Sequence, residues 1–190
     1  MVVAFVDPQT YAPKRNGVVA VIDTTTDTVT TTIALPTKDP FARLQRVHGT
    51  KTLVINLAED FGGTAGCYAT VDTVARTAAC VVQNSACGGW SGSLWPRSDG
   101  HVWAAAAAGF SADGTLCHFK VDGTVVKTGI AVSGSITDVG VSDAGEVWAV
   151  DGKGNGGVWL FNAATDELIL NTAIDLGAPP AFASGVVFLP

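Results

Sequence analysis

Charge is scarce in this chain, and so are methionine, tyrosine and histidine. Only 15% of the 190 residues are charged, well under the ~25% of an ordinary globular domain. Lys and Arg number 11 and are scattered, against 17 Asp and Glu. No basic patch is present to neutralise phosphates, so nucleic-acid binding is excluded. The net charge of −6 instead favours solubility. No apolar run approaches the ~18 residues that cross a bilayer as a helix, and the stretch Ala104 to Ala108 is far too short. The opening Met1-Val2-Val3-Ala4-Phe5-Val6 lacks a basic region and a cleavage site. It therefore reads as a strand rather than a signal peptide. Either a targeting segment has been removed or the chain is a piece of something longer. One Met beside 22 Gly and abundant Thr speaks against long helices, because β-branched residues fit a pleated surface and Gly permits tight turns.

What is present is a repeat. One unit runs Gly17-Val-Val-Ala-Val-Ile-Asp23-Thr-Thr-Thr-Asp27-Thr-Val29 and continues at Ile33-Ala-Leu35. Another runs Gly157-Val-Trp-Leu-Phe-Asn162-Ala-Ala-Thr-Asp166-Glu-Leu168 and continues at Ile174-Asp-Leu176. Each is an alternating strand, a turn opened by Asp or Asn, and a second strand, which is a hairpin signature. The Asp23 and Asn162 side chains are placed to accept from the turn backbone. A second element, a strand start after a polar or Gly turn, falls at residues 2, 53, 102, 147 and 186, spaced by 51, 49, 45 and 39. Units of 40–50 residues with about four strands each carry the propeller period.

The Val-Ile-Asp-Thr-x-Thr-Asp-Thr-Val run from Val21 to Val29 resembles the repeats of YVTN-type surface propellers. The runs Asp99-Gly-His-Val-Trp-Ala104 and Glu146-Val-Trp-Ala-Val-Asp151 resemble NHL or streptogramin-lyase-type blades. The resemblance implies an all-β, extracellular-type β-propeller of four-stranded antiparallel blades, about four blade-equivalents in one region spanning 1–190. Counting strands outward from the axis as A to D, residues 2–35 supply B, C and D of one blade. Residues 41–82, 88–132 and 135–176 supply three fuller blades, and 180–190 supply A and B of another. The two ends do not match for a simple closure, and an unpaired strand edge is a liability. A longer propeller cut at both ends, two chains sharing one ring as a homodimer, or a four-bladed ring with a redundant last strand each satisfies the count.

The cysteines are Cys67, Cys80, Cys87 and Cys117, and four cysteines allow three connectivities. A hairpin turning at Thr73-Val74 sets Cys67 opposite Cys80, within bridging distance. Cys87 then pairs with Cys117 between an inter-blade loop and the next sheet. Four buried free thiols are the alternative. No Cys-x-x-Cys is present, and Cys117 and His118 on one strand face opposite ways, so they do not share a metal.

By analogy with propellers, ligands meet the axis at loops joining D to the next A and B to C. Those loops hold Lys38, Asp39, Glu59, Asp60, Trp90, Trp95, Arg97, Asp151 and Asn155. Glu59 and Asp60 with His48 are the catalytic candidates of a lactonase- or lyase-type enzyme, since adjacent acids raise one another's pKa. Trp90, Trp95 and Arg97 are the candidates for stacking on a sugar or anchoring a protein. The Gly-rich Asp151–Asn155 loop makes calcium the one cofactor in view, though Lys153 sits inside it and an ordinary turn is the plainer reading. Trp103 and Trp148 occupy equivalent core positions, while His48, His101 and His118 read as turn or surface residues. The expected function is a non-catalytic, secreted or cell-surface binding or scaffold module with a protein or glycan partner. The enzyme and the carbohydrate-binding propeller are the rivals.

Overall fold

In the computed structural model, residues 1–10, 12–40, 42–59, 64–109, 112–132, 134–153, 156–170 and 172–175 are described. They build four antiparallel sheets in chain order. Sheet 1 holds β1 (Val2–Val6), β2 (Pro13–Asp23) and β3 (Thr28–Ala34). Sheet 2 holds β4 (Gln45–Arg46), β5 (Thr52–Ala58), β6 (Gly66–Asp72) and β7 (Thr77–Gln83). After a single helical turn, α1 (Asn84–Cys87), sheet 3 holds β8 (Trp90–Pro96), β9 (His101–Ala107), β10 (Thr115–Lys120) and β11 (Val125–Ile130). Sheet 4 holds β12 (Ile136–Val141), β13 (Glu146–Asp151) and β14 (Gly157–Asn162). Bridges from Phe161 to Leu168 and from Val158 to Ile174 extend its outer side. Consecutive up-and-down sheets stacked face to face make this a β-propeller arrangement of blades.

The middle strands of sheets 2 and 3 are apolar on both faces because a neighbouring sheet covers each face. In β5, Val54 joins Tyr68, Val82, Val102, Ala104 and Phe119 between sheets 2 and 3. The alternate residues Ile55 and Leu57 join Val19, Ile33 and Leu35 between sheets 1 and 2. Trp103 and Leu116 meet Val141, Val147, Trp159 and Phe161 between sheets 3 and 4. Each such side chain contributes roughly 1.5–3 kcal/mol by leaving water. The outer strands β3, β7 and β11 are largely exposed, and β3 and β7 are rich in Thr and Ala.

Three turns between the third and fourth strand positions share one design. Asp23 accepts from Thr25 N at 2.8 Å. Asp72 accepts from Val74 N and Ala75 N at 2.8 Å. Asn162 accepts from Ala164 N at 2.8 Å and Thr165 N at 3.3 Å. The fifth residue of each, Asp27, Arg76 and Asp166, is left-handed with φ of 52–57°.

Both expected disulfides are present: Cys67–Cys80 with Cα atoms 5.6 Å apart, and Cys87–Cys117, tying α1 to β10, at 5.3 Å. The register argued for the first is corrected. The turn occupies Thr73 to Arg76, so Cys67 faces Gln83 and Cys80 faces Ala69, with an irregularity after Tyr68. The bond therefore runs diagonally across a bulge, which brings the offset residues within reach. Each bridge contributes on the order of 3–4 kcal/mol by constraining the unfolded chain. No helix among the described residues is long and apolar enough to cross a membrane. The last segment expected to form strands, 180–190, lies outside the described residues.

Candidate functional site

The loop from β3 to β4 and the loop after β5 meet at one end of sheet 2. Thr37 Oγ1 donates to Glu59 Oε1, and Lys38 Nζ lies 3.6 Å from Glu59 Oε2. Ala58 N donates to the Asp39 carbonyl at 2.9 Å, so the two loops are laced together. Asp39 Oδ2 is buried and accepts no hydrogen bond among the described residues. Burial raises the Asp39 carboxyl above the ordinary carboxylate range, because losing water disfavours the charged form. The cluster therefore presents two acids of unlike character. Glu59 is held by a hydroxyl and an ammonium, and Asp39 keeps an oxygen that seeks a donor.

His48 does not join them. It is exposed in the turn before β5, whereas Glu59 follows β5. The seven residues of that strand separate them by roughly 20 Å, at ~3.3 Å per residue. The expected combination of His48 with Glu59 is corrected accordingly, and Asp60 lies outside the described residues. Trp90 and Trp95 also part company. Trp90 faces Ala107 at one end of β8, and Trp95 faces Trp103 toward the other. Trp95 packs against the core between sheets 3 and 4, and Arg97 lies 3.7 Å from Asp99 in the following turn. The two indoles thus form no common platform. Asp151 is buried and already engaged: Oδ1 accepts from Ser135 N at 3.0 Å and Lys153 N at 2.9 Å, and Oδ2 accepts from Trp159 Nε1 at 3.4 Å. A Cβ on Gly134 would fall 1.9 Å from Asp151 Oδ2, so only glycine lets the backbone pass this carboxylate. Asp151 thereby clamps its own loop, and Asn155 lies outside the described residues.

A second polar assembly joins sheets 3 and 4 at the end opposite the Asp39–Glu59 loops. Asp166, fifth in its turn, sends its carboxylate back to the preceding sheet. Oδ1 accepts from Trp103 Nε1 at 2.9 Å and Oδ2 from His118 Nδ1 at 2.7 Å. The His118 ring stacks on Trp103 at 4.1 Å, and Lys127 Nζ donates to the Asp166 carbonyl at 3.2 Å. With His118 donating from Nδ1, its Nε2 is free to accept from His101 Nδ1, 2.7 Å away, which fixes both tautomers. His118 is 2% exposed, which corrects its reading as a turn or surface residue. Burial works against the Asp166 charge, but the His118 and Trp103 hydrogen bonds outweigh it and hold the carboxyl below its usual range. His101 is pushed down, first by burial, with Asp99 opposing and His118, Lys120 and Arg97 adding to the depression.

Sequence reasoning missed this assembly because its members are separated by up to 63 residues. One signal was legible: Asp27 and Asp166 hold the same place in the repeated turn. Two smaller locks complete the picture. Asn84 bonds Asn56, Leu57 O and Ala65 O, and Asn56 accepts from Ser91 N. Ser93 Oγ on β8 donates to Asp138 Oδ1 on β12, while Asp138 Oδ2 is buried and accepts nothing among the described residues.

No family model matches the chain, and no curated protein matches it. Among solved structures it is similar to the dihydro-heme d1 dehydrogenase NirN in complex with DHE, with a TM-score of 0.62 and 11% identity. The similarity covers 90% of this chain and 37% of the NirN chain. At that identity the likeness speaks for the fold alone. It agrees with the stacked sheets: the chain has a β-propeller fold.

Proposed function

We propose that the chain is a non-catalytic binding or scaffold module of a secreted or cell-surface propeller of YVTN or NHL type. In this reading residues 1–190 form one propeller region belonging to a larger or oligomeric ring. The observation that carries it is the laced pair of loops at Thr37–Asp39 and Glu59. These loops are hydrogen-bonded to one another and present the partly exposed Glu59 carboxylate beside Lys38, with the Asp39 oxygen buried beneath. Such a surface suits a basic or hydroxyl-bearing group on a protein or glycan partner. The two disulfides support an oxidising compartment. The buried polar side chains of Asp166, His118 and Trp103 fasten one blade to the next.

The test is a binding screen on immobilised extracellular proteins and glycans with the native chain and the Asp39→Asn/Glu59→Gln double variant. Partners retained by the native chain and lost by the variant bear the reading out. Turnover of a small lactone that disappears in the Glu59→Gln variant, with no partner retained, would replace it with the enzyme.

A further inference from the structure

The two disulfides sit in unlike surroundings. Cys87 and Cys117 are both 0% exposed and lie in the apolar layer between sheets 2 and 3, among Tyr68, Val82, Val102 and Phe119. Cys67 is also 0% exposed, in the layer between sheets 1 and 2 with Ile33, Ile55 and Leu57. Its partner Cys80 is exposed. Cys80 stands on β7, the last strand of sheet 2, after the small residues Thr77, Ala78 and Ala79, of which Thr77 and Ala79 are exposed as well. The outer strand β3 of sheet 1, which lies beside β7, is also largely exposed.

A disulfide is cleaved when a thiolate bonds to one sulfur and expels the other, and access decides which sulfur is attacked. At Cys87–Cys117 either approach passes through close-packed core, so attack waits for that region to open. At Cys67–Cys80 the approach to Cys67 is closed in the same way. The bond runs outward from β6 to β7, so its continuation beyond Cys80 leaves the blade. A thiolate from solvent therefore has one sulfur within reach.

We propose that Cys80 is a site of reversible modification by low-molecular-weight thiols. The incoming thiolate sulfur bonds to Cys80 Sγ, the Cys67–Cys80 bond breaks, and its electron pair leaves on Cys67, which takes up a proton. The products are a mixed disulfide at Cys80 and a buried thiol at Cys67. The ladder pairing Thr70 with Ala79, Val71 with Ala78 and Asp72 with Thr77 keeps β7 beside β6 once the bond is open. Cys67 thus stays next to Cys80, and when the small thiol is withdrawn it attacks Cys80 Sγ, expels that thiol and restores the bridge. This chemistry holds whether or not the Asp39–Glu59 loops bind a partner.

The probe is reduced glutathione, applied to the folded native chain at about pH 8, near the pKa of a free thiol. Samples are quenched in acid at intervals and the adducts mapped by mass spectrometry. One glutathione is expected on Cys80 and none on Cys67, Cys87 or Cys117. The Cys67–Cys80 bond should open at least about tenfold faster than Cys87–Cys117. In urea the two bonds should open at similar rates, because the fold alone distinguishes them. Removal of glutathione by gel filtration should restore Cys67–Cys80. In single variants checked for folding by circular dichroism, Cys67→Ser should leave Cys80 open to N-ethylmaleimide. Cys80→Ser should leave a Cys67 thiol that reacts only on unfolding. The native-chain experiment stands if either variant fails to fold. Equal rates in the folded chain, earlier opening of Cys87–Cys117, or glutathione on Cys67 overturns the proposal. So does an intact Cys67–Cys80 bond at a glutathione concentration that cleaves both bonds in urea.

Discussion

Asp166 shows how one side chain can hold two blades together. Its carboxylate is buried, yet it accepts from an indole and an imidazole on the preceding sheet. Hydrogen bonds to a charged group are worth roughly 1.5–3 kcal/mol each. We expect Asp166→Asn to lower unfolding free energy by about 2–3 kcal/mol, read by urea denaturation at pH 7. Asp166, and His101 which bonds His118, give this cluster a signature in pH. The Asp166 carboxyl is held below its unfolded value of 3.8, so its contribution is present above pH ~4 and is lost as the pH falls through its folded value. His101 is depressed below 6.5, so folding favours its neutral form. That contribution is complete above pH ~6.5 and declines as the pH falls further. A His101→Gln variant should therefore show a flatter stability profile between pH 7 and 5 than the native chain. Asp39 has the opposite sign. Its raised carboxyl is a cost to the charged folded state, so Asp39→Asn should stabilise the fold at pH 7 in thermal melts while weakening partner binding. A residue whose removal stabilises the chain and impairs binding is there for the ligand.

At the scale of elements, the hairpins were legible and the clamps were not. Asp23 and Asn162 announce their turns in the sequence because an Asx side chain acts on backbone two residues away. Cys67 and Cys80 were paired correctly although the register was off: the four-residue turn and the irregularity after Tyr68 both move Cys67 away from direct opposition to Cys80, and the bond spans that offset diagonally. His118 could not be read as core by alternation, because β10 is covered on both faces and every position from Leu116 to Phe119 is buried. The separation of His48 from Glu59 follows from β5 running between the two ends of the blade, a point the sequence leaves open until the strand is placed. The disulfides make their own prediction. Reduction, or the Cys87→Ser/Cys117→Ser pair, should cost on the order of 3–4 kcal/mol and expose the α1 segment to proteolysis before the strands of sheet 3. Protease mapping under reducing and non-reducing conditions checks it.

Across the whole molecule, stability comes from three apolar layers between four sheets, each layer closed at some point by a polar lock. The repeat spacing made the propeller visible in the sequence, because a unit that cannot bury its own faces must recur. The partners of each lock stayed hidden because they lie on different units. The stacking of one blade on the next in this register is the claim on which the rest depends, and Trp103 with Asp166 reports on it directly. They stand 63 residues apart on different sheets and share a 2.9 Å hydrogen bond. The decisive measurement is the coupling energy between Trp103→Phe and Asp166→Asn in a double-mutant cycle of urea unfolding. A coupling of about 1–2 kcal/mol is expected. Additive effects, with a coupling below about 0.3 kcal/mol, would contradict the stacking of sheet 4 on sheet 3 described above.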